Sequence, residues 1–229
     1  MYNSNNTTKK GLLRDMNISF LQVCLTIVFV SAMLISNVIT AKQVLLPGGI
    51  TMTGAVFIFP LTYILSDVFS EVYGYKWSRI TCYFAFSMNL FMVIVFSLVI
   101  ATPAPDYWMN QEAFATVLGS TPRVMGASLL AYVIGDFVND RIFRKMKTKH
   151  THEIKGFGCR AIISSFFGEL CDSLVFLPLA FLGQMPVATL ATMTVAQVFI
   201  KTGYEIVILP LTTYVVKKIN AHELSIRRS

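Results

Sequence analysis

Six long apolar stretches alternate with short polar, glycine- or proline-containing connections along the chain, near 17–41, 52–72, 78–101, 123–144, 158–182 and 188–217. About 20 apolar residues make one helical crossing of a bilayer, so the pattern predicts six transmembrane helices. The expected fold class is an all-α membrane protein, a six transmembrane helix bundle forming one domain over 1–229. Pro47-Gly48-Gly49, Gly74-Tyr75-Lys76-Trp77, Pro103-Ala104-Pro105 and Gly183-Gln184-Met185-Pro186 punctuate the pattern as turns. The first stretch is too long for the apolar core of a signal peptide and ends without an A-x-A cleavage site, so it is expected to remain as a helix.

The polar positions orient this bundle. Of the 19 Lys and Arg residues, all but Lys42, Arg123 and the embedded Lys201 fall in segments on one side: Lys9, Lys10 and Arg14; Lys76 and Arg79; the run from Arg141 to Arg160; and Lys217, Lys218, Arg227 and Arg228. Basic residues mark the cytoplasmic side, so both termini are expected to be cytoplasmic. The connection 102–122 contains Asp106 and Glu112 and no basic residue, as an outer loop would.

Composition agrees with the pattern and excludes other classes. With 55% hydrophobic and 14% charged residues in 229, the chain is too apolar for a soluble domain. The net charge of +7 is explained by orientation, and no nucleic-acid partner is expected. Cys24, Cys82, Cys159 and Cys171 are scattered and form no C-x-x-C pair. His150-Thr151-His152 lacks further ligands, so no metal site is expected. The sequence contains no glycine-rich phosphate loop, G-x-S-x-G elbow or H-E-x-x-H pair, which leaves no parts for ATP hydrolysis or common hydrolase chemistry. No cofactor is expected.

Against this apolar background, Asp67, Glu71, Asp136, Asp140, Glu169, Asp172, Lys201 and Glu205 lie within predicted crossings. A charge at the bilayer centre costs roughly 2.5–3.5 kcal/mol even on lenient insertion scales, so such residues face an interior pathway. One lysine cannot neutralise seven acids, and some of them must be protonated, wet or ligand-facing. Glu169 and Asp172, at i and i+3, aim at one helix face and form the leading candidate site. Lys201 can pair with Glu205 in its own helix or reach across to Asp172, and a purely structural salt bridge is the competing explanation. Phe176, one turn beyond Asp172, is the aromatic singled out for stacking; Tyr132 and Tyr63 are weaker candidates. Asn37 offers a polar amide for substrate or for interhelical hydrogen bonding. Pro60, ahead of Asp67, is expected to kink the second helix beside a cavity. Glu71, Asp136 and Glu205 are candidate proton-relay groups, although Glu71 and Asp140 also fit as ordinary interfacial acids. Tyr63-Ile-Leu-Ser-Asp67 with Glu71 echoes Tyr132-Val-Ile-Gly-Asp136 with Asp140, through duplication of like-oriented hairpins or through shared composition.

The chain resembles the queuosine precursor transporter family, also described as vitamin-uptake-like transporters. The likeness is carried by Ser36-Asn37, by Phe59-Pro60 through Asp67 with Glu71-Val-Tyr-Gly74-Tyr-Lys-Trp-Ser-Arg79, by Ala131-Tyr132 with Gly135, by Gly168-Glu-Leu-Cys-Asp172-Ser173 with Phe176, and by Lys201. It implies a six-helix inner-membrane importer, not an enzyme, of 7-deazaguanine bases such as preQ0, preQ1 or queuine, used in tRNA modification. On that resemblance Asp172 or Glu169 reads the guanine edge, Phe176 stacks, and Asp67 or the other acid of the helix-five pair meets a cationic substituent. Proton coupling is one route to uphill import. The expected partners are the small-molecule base and membrane lipid, and a homo-oligomer is compatible with the sequence. Two other functions remain open at this stage. One is the substrate-binding component of an energy-coupling-factor transporter, which would need a separate ATPase; the other is an intramembrane enzyme in which paired carboxylates activate water.

Overall fold

The structure is a computed structural model that describes residues 19–149 and 157–228. His150 and His152 lie outside the described residues. Helix α1 (Phe20–Ile39) starts where the Ser19 hydroxyl accepts a hydrogen bond from the Gln22 backbone N–H at 3.1 Å, satisfying one orphan donor of the first turn. Strands β1 (Gln43–Leu46) and β2 (Ile50–Thr53) then form an antiparallel hairpin with Leu46 opposite Ile50. Its turn uses Gly48 and Gly49 at φ 88° and 78°, where a Cβ would be strained.

The second apolar stretch is not the single helix expected over 52–72. It comprises the end of β2, a 3₁₀ turn at Gly54–Phe57, the ten-residue helix α2 (Phe59–Val68) and a π turn at Phe69–Tyr73. Pro60 does not kink a helix interior; it occupies the first turn of α2, where its missing N–H leaves no intrahelical bond unmade. Gly74, at φ 83°, turns the chain into α3 (Tyr75–Ala101). The 102–122 connection contains a short helix that was not anticipated, α4 (Gln111–Leu118). Three long helices complete the chain: α5 (Thr121–Lys149), α6 (Phe157–Phe181) and α7 (Val187–Arg228). The last runs eleven residues past the expected end at 217 as unbroken helix.

The protein is therefore mostly helical with one small hairpin. Among the described residues, five helical stretches are long and apolar enough to cross a membrane: Phe20–Ile39, Lys76–Ala101, Gln111–Asn139, Ile163–Phe181 and Val187–Ala221. The apolar surface agrees, since α3 turns Phe84, Phe91 and Leu98 outward at 59–64% exposure, a face suited to lipid rather than water.

Two buried clusters hold the helices. Phe29, Leu65, Phe69 and Ala85 tie α1, α2 and α3 together, with Phe29 and Phe69 edge to face at 6.0 Å. Val124, Ala131, Phe176, Leu177, Leu190 and Met193 join α5, α6 and α7. Helices α5 and α6 approach closely backbone to backbone where Gly135 faces Gly168. A Cβ at either position would come within 3.0 Å of the other's carbonyl oxygen. Small residues let membrane helices approach in this way when no hydrophobic difference between lipid and side chain drives them together.

Candidate functional site

Between the two clusters lies a cavity of about 380 Å³, within the size range of small-molecule pockets. Helical period aims polar positions at it from several sides. On α7, Gln197, Lys201 and Glu205 follow one another at i, i+4 and i+8. On α6, Ser165, Glu169, Asp172 and Phe176 do so, and on α5, Ser128, Tyr132, Asp136 and Asn139. Helix α1 adds Ser36 and Asn37, and α2 adds Tyr63 and Asp67.

Lys201 is 7% exposed and anchors the wall. Its Nζ stands 2.8 Å from Asp172 Oδ2 and 2.8 Å from Glu169 Oε2, so one ammonium is shared by two carboxylates. Of the two partners expected for Lys201, Asp172 is engaged, and Glu205 forms no ion pair with it among the described residues. The Tyr63 hydroxyl donates to Glu169 Oε1 at 2.9 Å, linking α2 to α6. The cluster borders the cavity rather than filling it, and both carboxylates retain exposure, 20% for Glu169 and 24% for Asp172.

A second charged group, made by Arg79, was missed in the sequence. Arg79 Nη2 pairs with Asp136 Oδ2, and Arg79 Nη1 donates to the Tyr132 hydroxyl at 3.1 Å. The sequence assigns Arg79 to orientation and to the family-like stretch ending there, with no site role, yet it lies a full turn inside α3 and binds across to α5. Tyr132 also packs its ring on Phe86 at 5.4 Å. A third group is uncharged: Asn37 Nδ2 donates to Asn89 Oδ1, Asn89 Nδ2 donates to the Ala85 carbonyl at 2.8 Å, and Ser128 donates to Asn37 Oδ1 at 3.4 Å. Asn89 is fully buried in the apolar run of α3, which is the signal that would have identified it.

The remaining expected residues divide clearly. Asp67 lines the cavity from α2 and, like Glu205, has no basic partner among the described residues. Phe176 is 9% exposed, lines the cavity and meets Phe181 edge to face at 6.2 Å. Glu71 is exposed on the π turn, outside the cavity wall. The side chain of Asp140 lies outside the described residues. Gln197, which the sequence reading passed over, is 1% exposed, lines the cavity, and leaves its Oε1 with no hydrogen-bond partner.

This arrangement can accept paired N–H donors at its carboxylates, present an aromatic surface to a flat ring, and keep both out of lipid. The sequence profile of a family described as "Putative vitamin uptake transporter" matches residues 53–215, a span reaching from the end of β2 into the middle of α7. The chain belongs to this vitamin uptake transporter family. Every cavity residue named above except those of α1 falls inside the matched span. The chain is also 26% identical over 174 residues to the "Probable queuosine precursor transporter" of Bacillus subtilis (strain 168), covering 74% of this chain and 73% of that protein. No solved structure matches the chain. As a member of the vitamin uptake transporter family with several helices long and apolar enough to cross a membrane, it is a multi-pass membrane transporter.

Proposed function

We propose that this chain imports a 7-deazaguanine base, a queuosine precursor such as preQ0, preQ1 or queuine, across the cytoplasmic (inner) membrane. The observation that carries this reading is the shared ion pair on the cavity wall: Glu169 and Asp172 meet one lysine beside Phe176. A carboxylate accepts two parallel N–H bonds, and the N1–H and exocyclic amine of a 7-deazaguanine present two such donors side by side. Phe176 supplies the stacking face, and Asp67 supplies a second acid for an aminomethyl substituent. The Bacillus subtilis relative's name supports the substrate class.

In this reading the chain is one domain that crosses the membrane six times. The broken segment of β2, α2 and the π turn makes the sixth crossing, packed against α1 and α7. Non-helical backbone is tolerated at membrane depth where it is buried in protein or lines a cavity. The basic ends of the chain support a cytoplasmic position for both termini. Asp67, Asp136 and Glu205 serve as protonatable groups along the cavity for proton-coupled import.

The test is import into cells unable to make the precursor, with each compound supplied separately and queuosine in tRNA as the readout. The proposal expects queuosine to appear with at least one base, and Asp172→Asn to abolish it at equal membrane abundance. Queuosine formation that requires a separate ATPase, or chemical conversion of the base by the purified protein, would overturn it.

A further inference from the structure

Gln197 lines the cavity with a buried side chain whose amide oxygen accepts no hydrogen bond among the described residues. It is 1% exposed on α7, one turn before Lys201, and its Oε1 has no hydrogen-bond partner. A buried carbonyl oxygen left unpaired is costly, so its position at a cavity wall points to a partner that arrives from outside. Helices α6 and α7 are joined by the short turn at 182–186 and run antiparallel. One turn from Asp172 to Phe176 is therefore matched by one turn from Lys201 to Gln197. A ring stacked on Phe176 with one edge on the carboxylates would bring a neighbouring edge to Gln197.

We propose that Gln197 is a specificity-determining residue that accepts a hydrogen bond from the N9–H of the base. This rests on the reading of the cavity as a 7-deazaguanine site. A free 7-deazaguanine carries three kinds of ring-edge donor: N1–H, the exocyclic amine and the pyrrole N9–H. The first two fall to a carboxylate, and the third is the donor left for a buried acceptor. N3, beside N9, is an acceptor for the amide N–H of the same glutamine, so the side chain can pair with this edge through both its atoms. A nucleoside has its sugar at N9 and offers no hydrogen there. Gln197 thus selects the free base and rejects N9-substituted forms by leaving its own carbonyl unpaired against them, the strongest kind of discrimination a polar pocket offers.

The experiment measures uptake of a labelled 7-deazaguanine base in precursor-deficient cells, in competition with the unlabelled base and with its 9-methyl derivative. Wild type is expected to prefer the base over the 9-methyl competitor by about tenfold or more. Gln197→Leu is expected to lower base uptake about tenfold and shrink that preference to about twofold. Gln197→Glu retains an acceptor oxygen and is expected to retain the preference, which separates loss of the bond from loss of folding. Wild-type base uptake with a preference unchanged in Gln197→Leu, or lost equally in Gln197→Glu, overturns this role for Gln197 alone. Failure of wild type to take up any 7-deazaguanine overturns it together with the proposed function.

Discussion

Gly135 on α5 and Gly168 on α6 pack backbone against backbone, so that a Cβ added to Gly135 would stand 2.9 Å from the Gly168 carbonyl oxygen and 3.1 Å from Asp172 Cβ. Neither neighbour is the free end of a flexible side chain, so α6 itself must move to make room. Asp172 and Glu169 move with it. Gly135→Ala is expected to lower stability by about 1–3 kcal/mol and to reduce uptake. Gly126, on the same helix, has nothing within 4 Å of its would-be Cβ, and Gly126→Ala is expected to be neutral or to stabilise by about 0.5–1 kcal/mol through helix propensity. Thermal unfolding of the two variants in one detergent checks the contrast.

Removing Lys201 leaves two neighbouring carboxylates without their shared cation. Lys201→Met is expected to cost about 3 kcal/mol, the partial exposure of both acids keeping it at the low end for a broken buried pair. The double variant Lys201→Met with Asp172→Asn is expected to recover part of that loss, because one uncompensated charge is gone. Denaturation of wild type, both single variants and the double variant closes the cycle, and strict additivity would contradict the shared-ion geometry.

The Arg79–Asp136 pair bridges α3 and α5 at 22% and 33% side-chain exposure. At that exposure its contribution to stability is at most about 1 kcal/mol. Arg79→Asp and Asp136→Arg are each expected to place like charges together and depress uptake at least about tenfold, a fold-change worth about 1.4 kcal/mol. Exchange of the two residues in one protein is expected to restore most of it. No gain from the exchange would mean that the two side chains act separately.

Asp67 and Glu71 sit one turn apart but on different sides of the cavity wall. Asp67→Asn is expected to reduce uptake at least about tenfold, whereas Glu71→Gln is expected to stay within about twofold of wild type. A protonophore is expected to lower wild-type accumulation if these acids relay protons. Initial uptake rates with and without the protonophore check both statements.

The long helices were legible because their apolar runs exceed the length of a crossing and end at Gly and Pro clusters. The second run has the same apolar length, but composition does not distinguish a hairpin followed by a short helix from one continuous helix. Thr51, Met52 and Thr53 alternate as a strand would, yet three residues are too few to outweigh twenty apolar ones. Pro60 was noticed for the right reason and assigned the wrong position, since a proline breaks a helix interior and opens a helix start by the same loss of its N–H. At the site, helical spacing placed Glu169, Asp172, Phe176 and Lys201 together. Arg79 escaped because a basic residue near a helix end already had an explanation in orientation. Gln197 and Asn89 escaped because a single amide in an apolar run resembles ordinary interhelical glue until its partners, or their absence, can be seen.

At 1.5 Å per residue, the 42 residues of α7 extend about 63 Å, roughly twice the thickness of a hydrocarbon core. A helix of that length, with Gln197 and Lys201 in its first half, is a rod longer than one crossing requires. Lys217 and Lys218, both exposed, stand about four turns beyond Lys201 on that helix. Pro210, between that pair and Lys201, removes one interior hydrogen bond, so the rod carries a built-in joint between its exposed end and the lysine of the shared ion pair.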